Sequence, residues 1–287
     1  MSLSWIQVLP IKNPKHPLVV LRGGGDVATG VAWRLINAGF AVVALELPEP
    51  LTVRRTVALS TAVRLGTIDI EGLRGFLFTD PKTAVEAARL AAANHRAEVP
   101  VVVCPSLATF IEESEHPDVV VDARLAKRNI DTTLNDATVV VGLGPGFRAG
   151  EDVHAVVETN RGHHLGRVFW TGSAEPDTGI AALVDGRGTE RVLRAPSNGM
   201  VRWNSAIGDQ VLEGQPIGEM ENGTVLYAPF SGILRGLIAE SAPITAGLKI
   251  GDIDPRCEAS ACFEISDKAL AIGGGAVEAA LLGLRNL

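Results

Sequence analysis

A glycine-rich turn near the start of the chain has the spacing of a phosphate-binding loop. The segment from Gly23 to Ala28 fits the pattern G-x-G-x-x-A, in which glycines let the backbone turn tightly and approach a pyrophosphate. Glu46 follows about twenty residues later, where a carboxylate commonly accepts hydrogen bonds from ribose hydroxyls. The turn therefore predicts a phosphate-bearing ligand, with a tight turn that binds nothing as the alternative. The predicted contacts are Gly23, Gly24, Gly25, Asp26, Ala28, Thr29, Gly30 and Glu46.

Asp26 complicates this interpretation because a carboxylate inside the turn repels a nearby phosphate. The conflict disappears if the side chain points away, caps the following helix or contacts a metal. Simple binding of NAD is therefore less favoured than the glycine spacing alone suggests.

A second glycine-rich loop, Gly142 to Gly150, is a candidate wall of the same site. It follows an apolar strand, and in a parallel sheet it would lie at the same edge as the first turn and near Cys104. Arg148 offers a planar fork for an anionic group, and a surface arginine is an equally good interpretation. For Cys104, a small buried hydrophobe is favoured over a sulfur donor or nucleophile. The contacts predicted here are Cys104, Gly142, Gly144, Gly146, Phe147 and Arg148.

The third glycine-rich segment, Gly273-Gly274-Gly275, interrupts or starts an apolar stretch of helical character from Ala269 to Leu284. Each glycine costs a helix about 1 kcal/mol relative to alanine. Close approach of the backbone to a ligand or to a neighbouring helix would account for that cost. We therefore include Gly273, Gly274 and Gly275 among the predicted ligand contacts.

Four polar side chains are weak candidates for a metal site. The acidic stretch of residues 151–158 is predicted to be helical, which places His154 and Glu158 on one helix face, and Asp152 or His163 could supply a third ligand. Paired polar side chains on a solvated helix face are far commoner than metal ligands. We therefore assign no metal with confidence to this segment.

The elements that position these residues alternate between strand and helix. A strand at Leu18–Leu21, a helix at Ala28–Ala38 and a strand at Ala41–Glu46 make one βαβ unit. Further apolar strands are predicted at 75–78, 99–103, 119–121 and 138–141, with helices at 82–94 and near Leu107. Short all-apolar strands separated by helices predict a Rossmann-like, mostly parallel sheet with helices on both faces. The mixed pattern of residues 51–71 gives no assignment.

The second half of the chain changes character and contains an internal repeat. Ala195-Pro196 to Gly199 recurs as Ala228-Pro229 to Gly232, at a period of about 33 residues. The first copy resembles the barrel-sandwich hybrid of biotinyl and lipoyl carrier domains. A carrier presents a lysine in the following hairpin, whereas Glu219 to Gly223 contains none, so neither biotin nor lipoate attachment is expected. The predicted domains are 1–187 (Rossmann-like α/β), 188–256 (small all-β barrel-sandwich) and 257–287, whose helix packs back on the α/β domain.

Composition excludes several classes of protein. The chain has 287 residues, a formal charge of -7 and three cysteines, which argues against nucleic-acid binding and against a disulfide framework. Trp5 to Pro17 does not read as a secretion signal, and no apolar run is long enough to span a bilayer. We therefore expect a cytoplasmic protein without membrane contact. Motifs of serine hydrolases, P-loop ATPases and zincins are absent from the sequence.

Several order-preserving strings together resemble the YqeB-type proteins of the selenium-dependent molybdenum hydroxylase system, over almost the whole chain. The strings are Arg22–Asp26, Ala28–Gly30, Arg54-Arg55, Gly142–Phe147, Gly150–His154, Glu158-Thr159, Arg161–His163, Gly251–Arg256 and Ala271–Gly275. The resemblance implies an accessory protein that helps to mature molybdenum hydroxylases of the xanthine dehydrogenase class or to insert their cofactor. Ile272–Gly275 with Glu278 is also similar to a segment of XdhC-type chaperones, which handle molybdenum cofactor.

These observations lead to one main functional hypothesis and one alternative. A molybdopterin dinucleotide carries a pyrophosphate, a nucleoside and a pterin phosphate, so a glycine-lined cleft would suit a molybdopterin-type cofactor, its precursor or a nucleotide. The β-sandwich would then contact the client molybdenum hydroxylase. The alternative is an NAD(P)-dependent oxidoreductase that uses Glu46, although no acid/base pair tied to a substrate pocket is evident. A homo-oligomeric state is left open.

Overall fold

A mostly parallel sheet forms the larger part of this computed structural model, which describes residues 16–179 and 184–286. Nine strands make up the sheet within these residues, in the order β3-β4-β5-β2-β1-β6-β7-β8-β9. The strands are β1 (Leu18–Arg22), β2 (Ala41–Glu46), β3 (Thr67–Ile70), β4 (Leu73–Phe78), β5 (Glu98–Val103), β6 (Val119–Asp122), β7 (Val139–Leu143), β8 (Ala155–Val157) and β9 (Val168–Phe169). Neighbouring strands from β4 to β8 are parallel, and antiparallel β3 and β9 close the two edges.

The order of the central strands identifies the type of sheet. The strands β5-β2-β1-β6-β7-β8 follow the 3-2-1-4-5-6 order of doubly wound nucleotide-binding folds, with β3 and β4 added outside β5. The order reverses between β1 and β6. The predicted mostly parallel α/β sheet is therefore confirmed.

Helices cover both faces of the sheet. They are α1 (Asp26–Asn37), α2 (Ala62–Leu65), α3 (Pro81–Ala93), α4 (Leu107–Glu113) and α5 (Asp267–Asn286). Val19 and Leu21 of β1 face the apolar cluster under α1 and α5, whereas Leu18 and Val20 face α3 and α4. Because both faces are buried, the central strands are continuous apolar runs rather than alternating ones.

Two antiparallel sheets form the smaller part of the structure. Their strands are β10 (Val192–Arg194), β11 (Val201–Trp203), β12 (Gln210–Val211), β13 (Pro216–Met220), β14 (Val225–Tyr227), β15 (Gly232–Leu237) and β16 (Lys249–Asp254). The sheets have the orders β10-β16-β15-β12 and β11-β13-β14. Val211 and Leu234 of one sheet share an apolar cluster with Ile217 of the other. The antiparallel β-structure of this part is confirmed, while its assignment as a barrel-sandwich hybrid and the domain limits stay predictions.

The predicted elements of the parallel sheet lie where the structure has β1, α1, β2, β4, α3, β5, α4, β6 and β7, within a few residues. One prediction is wrong: residues 155–157 form strand β8 rather than part of a helix. Ala155, Val156 and Val157 are all fully buried, as expected of an inner strand. His154 and Glu158 therefore flank the strand and stand about 13 Å apart along it instead of sharing a helix face.

The segment between β2 and β4 has a definite structure although its sequence pattern gives no assignment. Residues 51–71, left unassigned, contain two 3₁₀ turns, α2 and β3, which pairs antiparallel with β4. Residues 1–15 and 180–183 lie outside the described part, so most of the expectation for Trp5 to Pro17 falls there. None of the described helices combines the length and apolarity that a bilayer crossing requires.

Helix α5 runs through its three glycines without interruption and packs closely against α1. A Cβ on Gly273 would lie 2.6 Å from the carbonyl oxygen of Gly30, and a Cβ on Gly275 would clash with the carbonyl oxygen of Gly166. By contrast, a Cβ on Gly274 would point into open space. The backbone of α5 at Gly273 therefore lies close to a neighbouring helix, which is one of the two reasons expected for these glycines; the other was close approach to a ligand.

Candidate functional site

The backbone groups of the glycine turn after β1 are largely hydrogen-bonded to other residues of this chain. The backbone N–H of Gly23 donates to the carbonyl oxygen of Leu45 at 2.8 Å. The N–H of Gly24 donates to Oε2 of Glu46 at 2.8 Å, and the carbonyl oxygen of Gly24 accepts from the N–H of Ser60. Two of the donors that would face a pyrophosphate are therefore already used.

Glu46 is directed at the turn rather than at open solvent. Its Oε1 accepts from the N–H of Leu47 at 2.8 Å, while Oε2 holds Gly24. Burial raises the pKa of Glu46, and the hydrogen bonds from Leu47 and Gly24 act in the opposite direction. The carboxylate at the end of β2 thus stabilises the turn, and a ribose hydroxyl would have to compete with these donors.

Asp26 is paired with a buried arginine. Its Oδ2 lies 3.2 Å from a guanidinium nitrogen of Arg54, which is only 7% exposed and also donates to the carbonyl oxygens of Ala261 and Glu264. This ion pair offsets the negative charge that would oppose a phosphate. Asp26 therefore links the glycine turn to the segment before α5.

The remaining predicted contacts of this turn face the interior. Ala28 is fully buried in the core, and Gly30 packs against Ala269 of α5. Thr29 is also buried, and its hydroxyl donates to the carbonyl oxygen of Gly25 and accepts from the N–H of Leu59. The structure brings none of these three residues to a cavity wall that it describes.

The switch point between β1 and β6 is filled by a polar network. Arg22 is 3% exposed and donates to the hydroxyl of Thr132 at 2.7 Å and to Asp131 at 2.9 Å. Asp122, at the end of β6, accepts from Thr132 and from Arg124. Doubly wound folds bind ligands in the crevice at such a switch point. Here the chain occupies that position, so open space lies further along the sheet edge.

Three of the four glycines of the second loop make room for other parts of the chain, whereas a Cβ on Gly150 would meet nothing within 4 Å. A Cβ on Gly142 would lie 2.5 Å from the ring of Phe147, and one on Gly144 would clash with Thr159. A Cβ on Gly146 would clash with the backbone of Arg128. The loop is thus tightly packed, and Phe147 itself lies in the core beneath α3 and α4.

Arg148 and Cys104, the other two predicted contacts, lie outside the cavity that the second loop helps to line. Arg148 is exposed and pairs with Glu151 at 2.7 Å. Cys104 is buried, its thiol donates to the carbonyl oxygen of Ser106, and burial raises its pKa. A raised thiol pKa leaves little thiolate at neutral pH, which fits the favoured interpretation as a small buried side chain.

The four metal candidates do not form a cluster. Asp152 accepts from the N–H of Arg148, and His154 accepts through Nδ1 from the N–H of Val140, while burial lowers the pKa of His154. His163 is exposed. Within residues 16–179 and 184–286, no group of three or more His, Cys, Asp or Glu side chains is placed to hold a metal ion.

A cavity of about 500 Å³ opens at the carboxyl edge of the sheet, beside the ends of β7 and β8. Its wall includes parts of the second glycine loop, the segment after β6, the start of β16 and the first turn of α5. The described lining residues are Leu125, Lys127, Leu143, Pro145, Glu158, Thr159, Asn160, Arg161, Glu175, Pro176, Asp177, Thr178, Lys249 and Lys268.

Glu158 organises one wall of the cavity. It is fully buried, and its Oε1 accepts from the N–H groups of Thr159 and Asn160, both at 2.7 Å. Its Oε2 accepts from the N–H of Glu175, also at 2.7 Å. Three backbone donors hold this carboxylate at the end of β8. The same residue that was a weak metal candidate therefore fixes the shape of the site.

Lys268 is the cation of this wall without a partner. It is half-buried in the first turn of α5, and its amine makes no hydrogen bond or ion pair with any residue that the structure describes. Burial lowers the pKa of Lys268, as does the charge of Arg161, while Asp26, Glu158 and Asp267 act in the opposite direction. Ala269, the next residue, packs against Gly30 of α1, so Lys268 lies near the helix that follows the glycine turn.

The other basic side chains of the wall have carboxylate partners. Lys127 pairs with Asp177 at 2.8 Å, and Arg161 pairs with Asp267 at 2.9 Å. Lys249 lies 3.8 Å from Asp252. The sequence motifs indicate the glycines and do not include Lys268, although it directly precedes the apolar segment that begins at Ala269. The burial of Lys268 in the cavity wall depends on the packing of α5 against α1, which the sequence alone does not show.

Comparison with known proteins gives one homologue. In an alignment of 292 positions that covers 96% of its length, the chain is 44% identical to a protein of Escherichia coli (strain K12) named "Uncharacterized protein YqeB". It spans about half, 52%, of that relative's length. The relative carries the name of the family that the sequence strings resemble, and its name states no activity. No protein-family model matches the sequence.

Solved structures give only loose similarity. A succinylglutamate desuccinylase/aspartoacylase from Rhodobacter sphaeroides is 15% identical with a TM-score of 0.25, and the match covers 84% of this chain and 86% of that one. A succinylglutamate desuccinylase from a Silicibacter species is 12% identical with a TM-score of 0.21, covering 84% and 87%. Scores this low carry no argument about this chain.

Proposed function

We propose that this protein binds a phosphate-bearing small molecule in the cavity beside β7 and β8, and that it serves molybdenum hydroxylases as an accessory protein. The observation that carries the first part is the half-buried amine of Lys268, which has no partner among residues 16–179 and 184–286. The second part rests on the sequence strings shared with YqeB-type proteins and on the homologue of that name.

Lys268 stands where a positive charge is costly. Its amine is partly withdrawn from water with no hydrogen-bond acceptor among the described residues. Arg161 repels it, and the attraction of Asp26, Glu158 and Asp267 does not offset burial, so the pKa of Lys268 is lowered. The first turn of a helix adds a positive potential, because its free N–H groups point towards the same end. An anionic group of a ligand would relieve all three costs at once. We therefore assign Lys268 as the main phosphate contact.

The surroundings support an anionic ligand. The described wall includes four basic side chains and three carboxylates, so it is more positive than a chain whose formal charge is -7. Its volume of about 500 Å³ suits a nucleotide-sized ligand. The cavity also lies at the carboxyl ends of parallel strands, where α/β folds commonly bind ligands. Compared with the sequence-based hypothesis, the phosphate position moves from the glycine turn to Lys268.

Titration of the purified protein tests the binding proposal. Molybdopterin cytosine dinucleotide, CTP and NAD(P) are titrated calorimetrically into wild type, Lys268→Met and the control Lys82→Met, whose exposed lysine lies on α3. We expect saturable binding by wild type and the control, and at least about tenfold weaker binding by Lys268→Met. Absence of saturable binding to all of these ligands would remove the proposal.

The accessory role requires a test in cells. In a host that lacks this protein, a hydroxylase of the xanthine dehydrogenase class should contain less molybdenum cofactor. Wild type should restore the molybdenum content of the purified hydroxylase, and Lys268→Met should not. Full molybdenum content in the host without the protein would contradict this role.

An NAD(P)-dependent oxidoreductase is the second candidate. The strand order and the carboxylate of Glu46 at the end of β2 favour it. The mutual hydrogen bond of Glu46 and Gly24 disfavours it, because both groups would have to release each other to bind the cofactor. Tight binding of NAD(P) that survives in Lys268→Met would favour this candidate over the first.

A further inference from the structure

Lys249 is the one described basic residue of the cavity wall that comes from the antiparallel sheets. It is the first residue of β16 and lines the same space as Lys268 of α5. In the sequence it stands late in the second copy of the repeat, where no carrier lysine is expected. The cavity is therefore built from both parts of the protein.

The amine of Lys249 has donor capacity to spare. Its nearest carboxylate, that of Asp252, is 3.8 Å away, which is beyond hydrogen-bond distance. Asp252 is itself buried and lies 3.5 Å from the guanidinium of Arg191. A lysine amine carries three donors. Lys249 is thus held near a carboxylate that is already shared, and its amine makes no hydrogen bond to any part of the chain that the structure describes.

The other two basic side chains of the wall each have a carboxylate partner at short distance. Arg161 forms two hydrogen bonds to Asp267, at 2.9 and 3.0 Å, and Lys127 lies at salt-bridge distance from Asp177. A ligand can therefore accept hydrogen bonds from the amines of Lys268 and Lys249 without breaking an ion pair at hydrogen-bond distance. A ligand with one negative charge neutralises only one of these two amines.

From this pairing we infer that the ligand carries two or more phosphate groups, one bound by Lys268 and another by Lys249. The inference rests on the proposed function and narrows it to ligands of the pyrophosphate type, such as nucleoside di- or triphosphates and dinucleotides. The β-sheet part then supplies one of the two phosphate contacts, in addition to any surface that it offers to a client.

Backbone contacts hold Lys249 in position for this role. β15, which pairs with β16, is joined to the segment after β2, because the N–H of Leu237 donates to the carbonyl oxygen of Val53 at 2.9 Å. Arg55 donates to the carbonyl oxygen of Leu237 at 2.6 Å. A Cβ on Gly236 would lie 2.8 Å from the side chain of Val53. The two parts therefore meet closely, so that a ligand can bridge them.

Inorganic anions provide the sharpest test. Orthophosphate, pyrophosphate and tripolyphosphate are titrated into wild type, Lys249→Met, Lys249→Arg, Lys268→Met and the Lys82→Met control. Wild type should bind pyrophosphate at least about tenfold more tightly than orthophosphate, because a second charge-assisted contact forms. Lys249→Met should lose that preference while orthophosphate binding stays unchanged, Lys249→Arg should keep it, and Lys268→Met should weaken all three anions.

The outcomes separate this inference from the proposed function. If Lys249→Met binds pyrophosphate as wild type does while Lys268→Met binds it weakly, the role of Lys249 is refuted and the proposed function stands. If Lys249→Met weakens orthophosphate as much as pyrophosphate, Lys249 acts on the whole site and the inference also fails. If wild type binds no anion, both fail. Without ligand, Lys249→Met should unfold at the same temperature as wild type, since the Lys249 side chain is 41% exposed.

Discussion

Adjacent glycines in α5 offer a matched test of how this helix is packed. Gly273→Ala and Gly274→Ala introduce the same methyl group at neighbouring positions in the middle of the same helix. In a helix interior, each change should stabilise the folded state by about 1 kcal/mol through helix propensity alone. The two variants differ in what the methyl group meets, so their difference isolates packing.

The structure sets the expected size of that difference. At Gly274 the new Cβ meets nothing within 4 Å, so we expect a gain of about 0.5–1 kcal/mol in the free energy of unfolding. At Gly273 the Cβ would lie 2.6 Å from the carbonyl oxygen of Gly30, a backbone atom that cannot rotate away. Helices α1 and α5 must then separate, and overpacking of this kind costs about 1–3 kcal/mol or more. Because helix propensity acts equally at both positions, we expect Gly273→Ala to be less stable than Gly274→Ala by at least about 1–3 kcal/mol.

Urea unfolding followed by tryptophan fluorescence measures this difference, because Trp33 on α1 is half-buried beside α5. Equal stability of the two variants would refute the close helix crossing. The same pair also bears on the sequence-based prediction that these glycines contact a ligand. If Gly274→Ala weakens ligand binding without loss of stability, that prediction regains support.

Two further perturbations test the wall and the ion pairs. Glu158→Gln should lower the free energy of unfolding by about 2 kcal/mol, because one amide oxygen replaces two carboxylate oxygens and a buried N–H loses its acceptor; a loss below about 0.5 kcal/mol in urea unfolding would contradict the role of Glu158. Burial alone would raise the pKa of Asp254, but hydrogen bonds and charge from Arg256 and the charge of Arg235 outweigh it and lower the pKa to about 2. Asp254 therefore contributes about 2 kcal/mol of stability above the unfolded-state pKa, which is lost as the pH falls through the folded-state pKa of about 2. The gap in urea midpoint between wild type and Asp254→Asn should shrink by about half between pH 6 and 3, and a constant gap would refute this.

The parallel sheet could be predicted from the sequence because its signals are local. Runs such as Leu18–Leu21 and Ala41–Leu45 are entirely apolar, and the intervening helix has regular spacing, so strand and helix are separable without tertiary information. Strand β8 has only three residues between polar neighbours, and its acidic flank suggested a helix. Residues 51–71 lack any period because their turns are fixed by contacts with the glycine turn, such as that between Ser60 and Gly24.

The candidate site was only partly predictable. Glycine-rich strings correctly indicate close backbone approach, but the sequence does not say what approaches. For Gly144 it is Thr159, for Gly273 it is α1, and for Gly24 it is the carboxylate of Glu46. Lys268 carries no motif, and its significance depends on burial and on the absence of an acceptor among the described residues. Such properties arise from long-range packing.

The most direct test of the central claim is a crystal structure of the protein with bound CTP. The account predicts phosphate oxygens within about 3 Å of the Lys268 amine, inside the cavity beside β7 and β8, with the hydrogen bond between Glu46 and Gly24 intact. Phosphates bound instead at Gly23 to Gly25, with Glu46 displaced and the cavity empty, would contradict it.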